Sequence, residues 1–212
     1  ACALERWRPG GPEPDIAAPP APLSASRRVY IPMEREQVHL ALGFLGTEFA
    51  DPRRADLEVL ATVLGGQGGR LFLDLRDRQS LAYAVSAASF DGLHPGSFFL
   101  HIATHPDKAQ TAWDGLRAHV EAVIRDPITE KERDRAVRHL VGGHAISLQR
   151  AGARSTSMAL MEAYGLGHDE HVRHPRLLEA VTPESVLSTA RALLSFDRCV
   201  QVVAGPSDLE GL

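Results

Sequence analysis

The sequence predicts an α+β fold, an antiparallel-rich sheet packed with several helices. Three observations carry that expectation. Val38, Leu40, Leu42 and Phe44 alternate with His39, Ala41 and Gly43, the period-two pattern of a half-buried strand. Two further apolar runs, 81–90 and 97–104, are joined by the turn residues Asp91-Gly92 and His94-Pro95-Gly96, which predicts an antiparallel pair. Helical patterns then follow one another without intervening strands until 198–204, whereas a doubly wound sheet would alternate the two.

The elements follow in order. Residues 9–26 hold six of the fourteen prolines and little that could build a core, so they read as a solvated linker. Residues 1–26 are therefore expected to be the end of a preceding region plus this linker, and 27–212 a folded domain. Asp51-Pro52 predicts a helix start, with Leu57, Leu60, Ala61 and Leu64 on one face and Gly65-Gly66 as its stop. A short helix is expected over about 69–78. Ala109, Trp113, Leu116, Val120 and Val123 form the apolar stripe of a helix over 107–125. Thr129-Glu130-Lys131-Glu132 is a capping box for a helix to about Arg150, weakened at Gly142-Gly143. A helix over 152–165 ends at Gly165-Leu166-Gly167, and Thr182-Pro183-Glu184 opens a last one over 183–194. The nearly continuous apolar run 198–204 is expected inside the sheet.

Composition narrows the function. The 212 residues are 44% hydrophobic and 24% charged, an ordinary soluble globular balance. A net charge of −4 offers no basic footprint for nucleic acid or for an acidic membrane surface. No apolar run is long enough to span a membrane. The chain starts Ala1-Cys2-Ala3 and reads as a fragment or processed product, which leaves cytoplasm and periplasm both open. Cys2 and Cys199 make no disulfide framework, and Cys199 reads as a small core residue.

Candidate chemistry gathers around 65–83. The loop Gly65-Gly66-Gln67-Gly68-Gly69-Arg70 opens a helix, but it lacks the Gly-Lys-Ser/Thr of a phosphate loop and follows a helix instead of a strand. Arg76 and Tyr83 stand seven residues apart. A tyrosine hydroxyl is a neutral donor suited to an oxyanion, and an arginine offers a fixed fork of donors to carbonyls or a carboxylate. Read from the residues alone, Arg76 is better explained as a helix C-terminal cation, and Tyr83 as an amphipathic strand residue.

The segment His168-Asp169-Glu170-His171-Val172-Arg173-His174 matches neither His-Glu-x-x-His nor its inverse. Lying between Gly167 and Pro175, it is expected to be a loop or single turn carrying a solvated cluster, not a zinc site. The other histidines are dispersed. His101 and His105 could face one way, with no carboxylate expected beside them.

Several short elements together resemble the insulinase/pitrilysin (inverzincin) family of zinc metallopeptidases, which includes the mitochondrial processing peptidases. They are Leu42-Gly43-Phe44, Leu60-x-x-Val63-Leu64-Gly65-Gly66, Arg70-Leu71-Phe72, Leu75-Arg76 and Leu81-Ala82-Tyr83, followed by Thr129-x-x-Glu132, Gly167, Thr182-Pro183-Glu184 and Val203-Ala204-Gly205-Pro206. The resemblance runs from about Gln37 to Pro206, and within the family it is to the half that binds no zinc. Gln67-Gly68-Gly69 departs from the small hydroxylated residues common in relatives.

The resemblance implies one half of a clamshell peptidase, with no cofactor in this chain. Its partner would be a zinc-bearing homologous half, in the same polypeptide or in a separate subunit. It implies that Arg76, Tyr83, Gly65 and Gly66 contact a peptide substrate and that Tyr83 is the catalytic donor. The rival readings are an inert assembly subunit of the same fold and a free-standing peptide-binding module.

Overall fold

The computed structural model describes residues 21–209. Residues 1–20, with Cys2 and most of the expected linker, lie outside them; 21–26 are exposed and irregular. One five-stranded sheet organises the domain, in the order β1-β5-β2-β4-β3. Its strands are β1 (Arg27–Pro32), β2 (Val38–Leu45), β3 (Ala82–Phe90), β4 (Ser97–Thr104) and β5 (Val200–Gly205). Only β1 and β5 run parallel; the other neighbours are antiparallel. The α+β, antiparallel-rich expectation is therefore met, and the apolar run near the C-terminus is an interior strand.

Strand β1 had no counterpart in the sequence reading. Arg27 and Arg28 open it and Pro32 closes it, both devices that suit an edge and hide the alternation of a core strand.

The alternation of β2 works as its pattern demands. Val38, Leu40, Leu42 and Phe44 are all buried, and they meet Phe98, Leu100 and Ile102 of β4 under the helices. That layer consists of α1 (Arg54–Gly65), α2 (Ala109–Arg125) and α6 (Pro183–Leu193). Helix α1 is buried on nearly every side, because Val59 and Val63 join Leu57, Leu60 and Leu64 in the core. It begins three residues after Asp51, whose carboxylate instead accepts the backbone N–H of Arg53 at 2.8 Å. Helix α2 buries Trp113, Leu116, Val120 and Val123 against the sheet.

Helices α3 (Glu130–Ser147), α4 (Ala151–Ala163) and α5 (Glu170–Ala180) form a second group beside α1. Thr129 and Glu132 close the capping box in both directions, and α3 runs unbroken through Gly142-Gly143. Gly165 and Gly167 adopt φ of +78° and +88°, the left-handed conformation that lets the chain reverse from α4 into α5.

The segment expected to be a loop is helical. Helix α5 continues through Pro175, which has no N–H to offer the carbonyl of His171 four residues earlier. His144 of α3 approaches that carbonyl with Nε2 at 2.8 Å, supplying the missing donor from another helix. The histidine cluster is correspondingly only partly a solvated surface patch: His168, Asp169, Val172 and Arg173 are exposed, and the rest turns inward. Glu170 is buried, the His174 side chain is 17% exposed, and of the three imidazoles only that of His168 is largely open to solvent at 69%. No helix among the described residues is long and apolar enough to cross a membrane.

Candidate functional site

The stretch from Gly65 to Tyr83 is built by close backbone approach. Gly65 ends α1 directly against β3: a Cβ there would sit 2.2 Å from the Ala87 backbone nitrogen. A Cβ on Gly69 would lie 2.5 Å from the Leu64 carbonyl oxygen, and one on Gly66 2.9 Å from that of Thr62. None of these glycines has positive φ, so they serve tight packing and not an unusual turn. The loop is a compact corner whose glycines Gly65, Gly66 and Gly69 each lie against neighbouring backbone.

Arg70 and Leu71 open the next helical segment, which widens into a π-helix over Phe72–Arg78. Its end is tied down by Gln79 N–H to Asp74 O (3.0 Å) and Leu81 N–H to Leu75 O (2.8 Å). His119 of α2 holds the Asp74 carboxylate at 2.9 Å. Arg76 projects from this turn with its guanidinium 4.8 Å above the Phe72 ring, a cation–π contact that orients it while leaving its donors open.

Between Arg76 and β3 the chain passes through Ser80 at φ 50°, an uncommon left-handed conformation for a residue with a side chain. Two contacts hold it: Lys108 Nζ donates to Ser80 O at 3.0 Å and Thr104 Oγ1 to Leu81 O at 2.5 Å. Tyr83 follows at a β-bulge. The register passes from Ala82 opposite Thr104 to Ala84 opposite Ala103, leaving Tyr83 as the extra residue. Its side chain is 78% exposed, and its hydroxyl meets no partner among the described residues. Because β3 is the outermost strand, the phenol stands at a free sheet edge.

Three hollows run along that edge and share walls. The glycine corner, Arg135 and His139 line a groove of about 590 Å³. A cleft of about 260 Å³ continues beside Ala87 and Ala88. A pocket of about 320 Å³ closes the row between Glu58, Ser89, Asp91 and α5. Within it Arg54 pairs with Glu170, and His174 Nε2 lies 3.1 Å from Glu58 Oε2. Burial pushes the Asp91 carboxyl above its usual range, against the hydrogen bond from Thr47 (2.6 Å), and burial lowers the Arg54 guanidinium. Sequence spacing could not reveal this group, since α5 meets α1 across more than a hundred residues.

Three of the remaining histidines have partners. His39 and His101 stack across β2 and β4 with ring nitrogens 3.1 Å apart, and burial and His39 together lower the His101 pKa. His105 lies 3.4 Å from Asp107, so a carboxylate does accompany it. Among the described residues no group of three or more His, Cys, Asp or Glu is placed to hold a metal ion. Cys199 is a buried free thiol.

The fold is a helix-backed, antiparallel-rich sheet with a bulged edge strand beside a glycine corner, and comparison with known proteins identifies its family. The family model described as the peptidase M16 inactive domain matches residues 3–140. The chain belongs to that family. It is 32% identical over 182 residues to an uncharacterized zinc protease of Mycobacterium tuberculosis, covering 85% of this chain and 41% of that protein. It is 30% identical over 175 residues to the uncharacterized zinc protease YmxG of Bacillus subtilis, covering 81% and 42%. The chain thus spans about two-fifths of the length of the curated relatives it matches. The crystal structure of a peptidase M16 inactive domain from Pseudomonas fluorescens superposes with a TM-score of 0.84 at 25% identity, over 95% of this chain and 48% of that one.

Proposed function

We propose that this chain is the substrate-gripping half of a zinc metalloendopeptidase, working opposite a homologous half that bears the zinc. The observation that carries this reading is the placement of Tyr83. An unpartnered phenol on a bulge at a free sheet edge, one rigid turn from an open guanidinium, is arranged to meet something outside the domain.

No group among the described residues fits a zinc ion, so in this reading the partner half would hold the metal, which would supply an activated water. What this chain contributes is binding and orientation. The Tyr83 hydroxyl donates to the oxyanion that develops as a peptide carbonyl is attacked, and the Arg76 fork holds neighbouring substrate carbonyls. The unpaired backbone groups of β3 can accept an extended peptide as an added strand, which gives affinity with little sequence demand. Gly65 and Gly66 shape the wall of that edge by bringing α1 close to Ala87.

The test is turnover of the assembled enzyme, with the isolated chain and a chelator control beside it. Tyr83→Phe is expected to lower turnover by tens-fold or more, on the scale of losing an oxyanion donor. Unchanged turnover removes Tyr83 from the mechanism. A stable assembly with no peptidase activity would establish the inert-subunit reading instead.

A further inference from the structure

Helix α2 and its N-cap Lys108 meet the segment that leads from Arg76 to Tyr83 at three points. Lys108, Gly115 and His119 stand seven and four residues apart, so they share one stripe of the helix. At Gly115 the approach is so close that a Cβ would sit 2.5 Å from Cδ2 of Leu75, itself fully buried. Four residues on, His119 Nε2 lies 2.9 Å from Asp74 Oδ2. At the other end Lys108 Nζ donates to Ser80 O at 3.0 Å.

The His119 contact reaches furthest into that segment. Burial works against the Asp74 charge, but hydrogen bonds from Gln79 and His119 and the charge of Arg78 hold its carboxyl below the usual range. An ionised carboxylate only accepts, so Nε2 carries the proton and His119 is the donor. Oδ1 accepts from Gln79 Nε2 at 3.1 Å, and the Gln79 backbone N–H closes on Asp74 O at 3.0 Å. Asp74 and Gln79 are thereby joined twice, and the turn between them carries Arg76. Gln79 leads directly into Ser80 at φ 50°, a conformation that persists where its surroundings fix it. The π-helix over Phe72–Arg78 is itself a rare geometry and needs the same support.

We propose that His119 is a positioning residue for the substrate grip: through Asp74 and Gln79 it holds the turn that aims Arg76, without touching substrate. The role rests on the gripping function of Arg76 given above and adds a residue 43 positions away from it on another helix. It depends on a donor and not on bulk, because His119 makes the one hydrogen bond at Asp74 Oδ2 among the described residues. Two substitutions separate these properties. His119→Leu keeps an apolar side chain of similar size and removes the donor, whereas the terminal amide of His119→Gln restores one.

Hydrogen exchange on the folded chain tests the hold without any substrate. In His119→Leu the amides of Gln79 and Leu81 are expected to exchange about tenfold faster, the scale of one lost hydrogen bond to a charged group, while those of the central strands β2 and β5 keep their wild-type rates. His119→Gln is expected to stay within about threefold of wild type. Unchanged exchange in His119→Leu overturns the role, and so does equal acceleration in both variants. A rise shared by β2 and β5 marks a general loss of stability and overturns it as well.

Peptide hydrolysis by the assembled enzyme tests the grip. His119→Leu is expected to raise KM about fivefold to tenfold with kcat changed by less than about twofold, and His119→Gln to bring KM back. In an Arg76→Ala background the same His119→Leu change is expected to add less than about twofold, since a residue that acts through Arg76 has nothing left to aim. Full additivity of the two substitutions removes His119 from the grip and leaves Arg76 in it. If Arg76→Ala alone keeps the wild-type KM, the gripping reading fails and takes the positioning role with it, even where the exchange result holds.

Discussion

Arg70 holds Glu132 with two parallel hydrogen bonds, Nε to Oε1 at 2.7 Å and Nη2 to Oε2 at 2.8 Å. The same carboxylate receives the backbone N–H of Thr129 at 2.9 Å, so one side chain both caps α3 and anchors the glycine corner. Two motifs 62 residues apart are a single joint.

That joint sets an acid sensitivity. The Arg70 hydrogen bonds, with help from Thr129 and against burial, hold the Glu132 carboxyl at about 2, below its ordinary 4.5. The unfolded chain therefore takes up this proton more readily than the folded one. Its contribution is complete above about pH 4.5 and fades as the pH falls towards about 2. Thermal melts across that range should show a steeper acid loss for wild type than for Glu132→Gln. Arg70→Ala at neutral pH should cost about 1.5–3 kcal/mol, the scale of hydrogen bonds to a charged group.

Glycine substitutions should split by position. Gly65→Ala forces a methyl into the Ala87 backbone and is expected to cost about 1–3 kcal/mol or more, measured by denaturant unfolding. Gly142→Ala inside α3 meets nothing within 4 Å and should stabilise by about 0.4–1 kcal/mol. A neutral Gly65→Ala would mean that α1 and β3 are looser than described.

The Arg54–Glu170 pair joins α1 to α5 with both side chains less than a tenth exposed. Replacing Glu170 with Ala leaves a buried guanidinium and should cost about 3–5 kcal/mol, while the double replacement Arg54→Met, Glu170→Leu should recover most of it. Denaturant melts of the two variants against wild type decide this, and a Glu170→Ala loss below about 1 kcal/mol would place the pair in effective contact with water.

Arg76 is exposed, and among the described residues its side chain makes a cation–π contact with Phe72 and no hydrogen bond or ion pair. Arg76→Ala should thus change stability by no more than about 0.5–1 kcal/mol, the value of an exposed cation–π contact. In the assembled enzyme it should raise KM. Loss of stability without a kinetic effect would return Arg76 to a purely structural role.

Most of the sheet and the helices α2, α3 and α6 were legible because their signals are local: alternation, a 3.6-residue stripe, or a capping box within four residues. Arg76 and Tyr83 were singled out through the family resemblance of their neighbours in sequence, and their contact with substrate is the proposal made above. The bulge that exposes Tyr83 was not legible, because a register shift depends on the facing strand. Nor was β1, which is paired by β5 from the other end of the chain. The α5 helix was hidden by Pro175, which locally argues for a break, and the carboxylate-lined pocket by the distance in sequence between Glu58 and His174. In each case a contact made far along the chain outweighed the local pattern.

The His144 contact makes α5 depend on α3. A helix that crosses a proline on a donor from α3 completes its hydrogen bonds within the protein only once α3 is in place. With α5 come Glu170 and His174, the groups that settle Arg54 and Glu58. The far end of the β3 edge is consequently completed by α5, whereas the Tyr83 end is held by the sheet together with Lys108 and with His119 of α2.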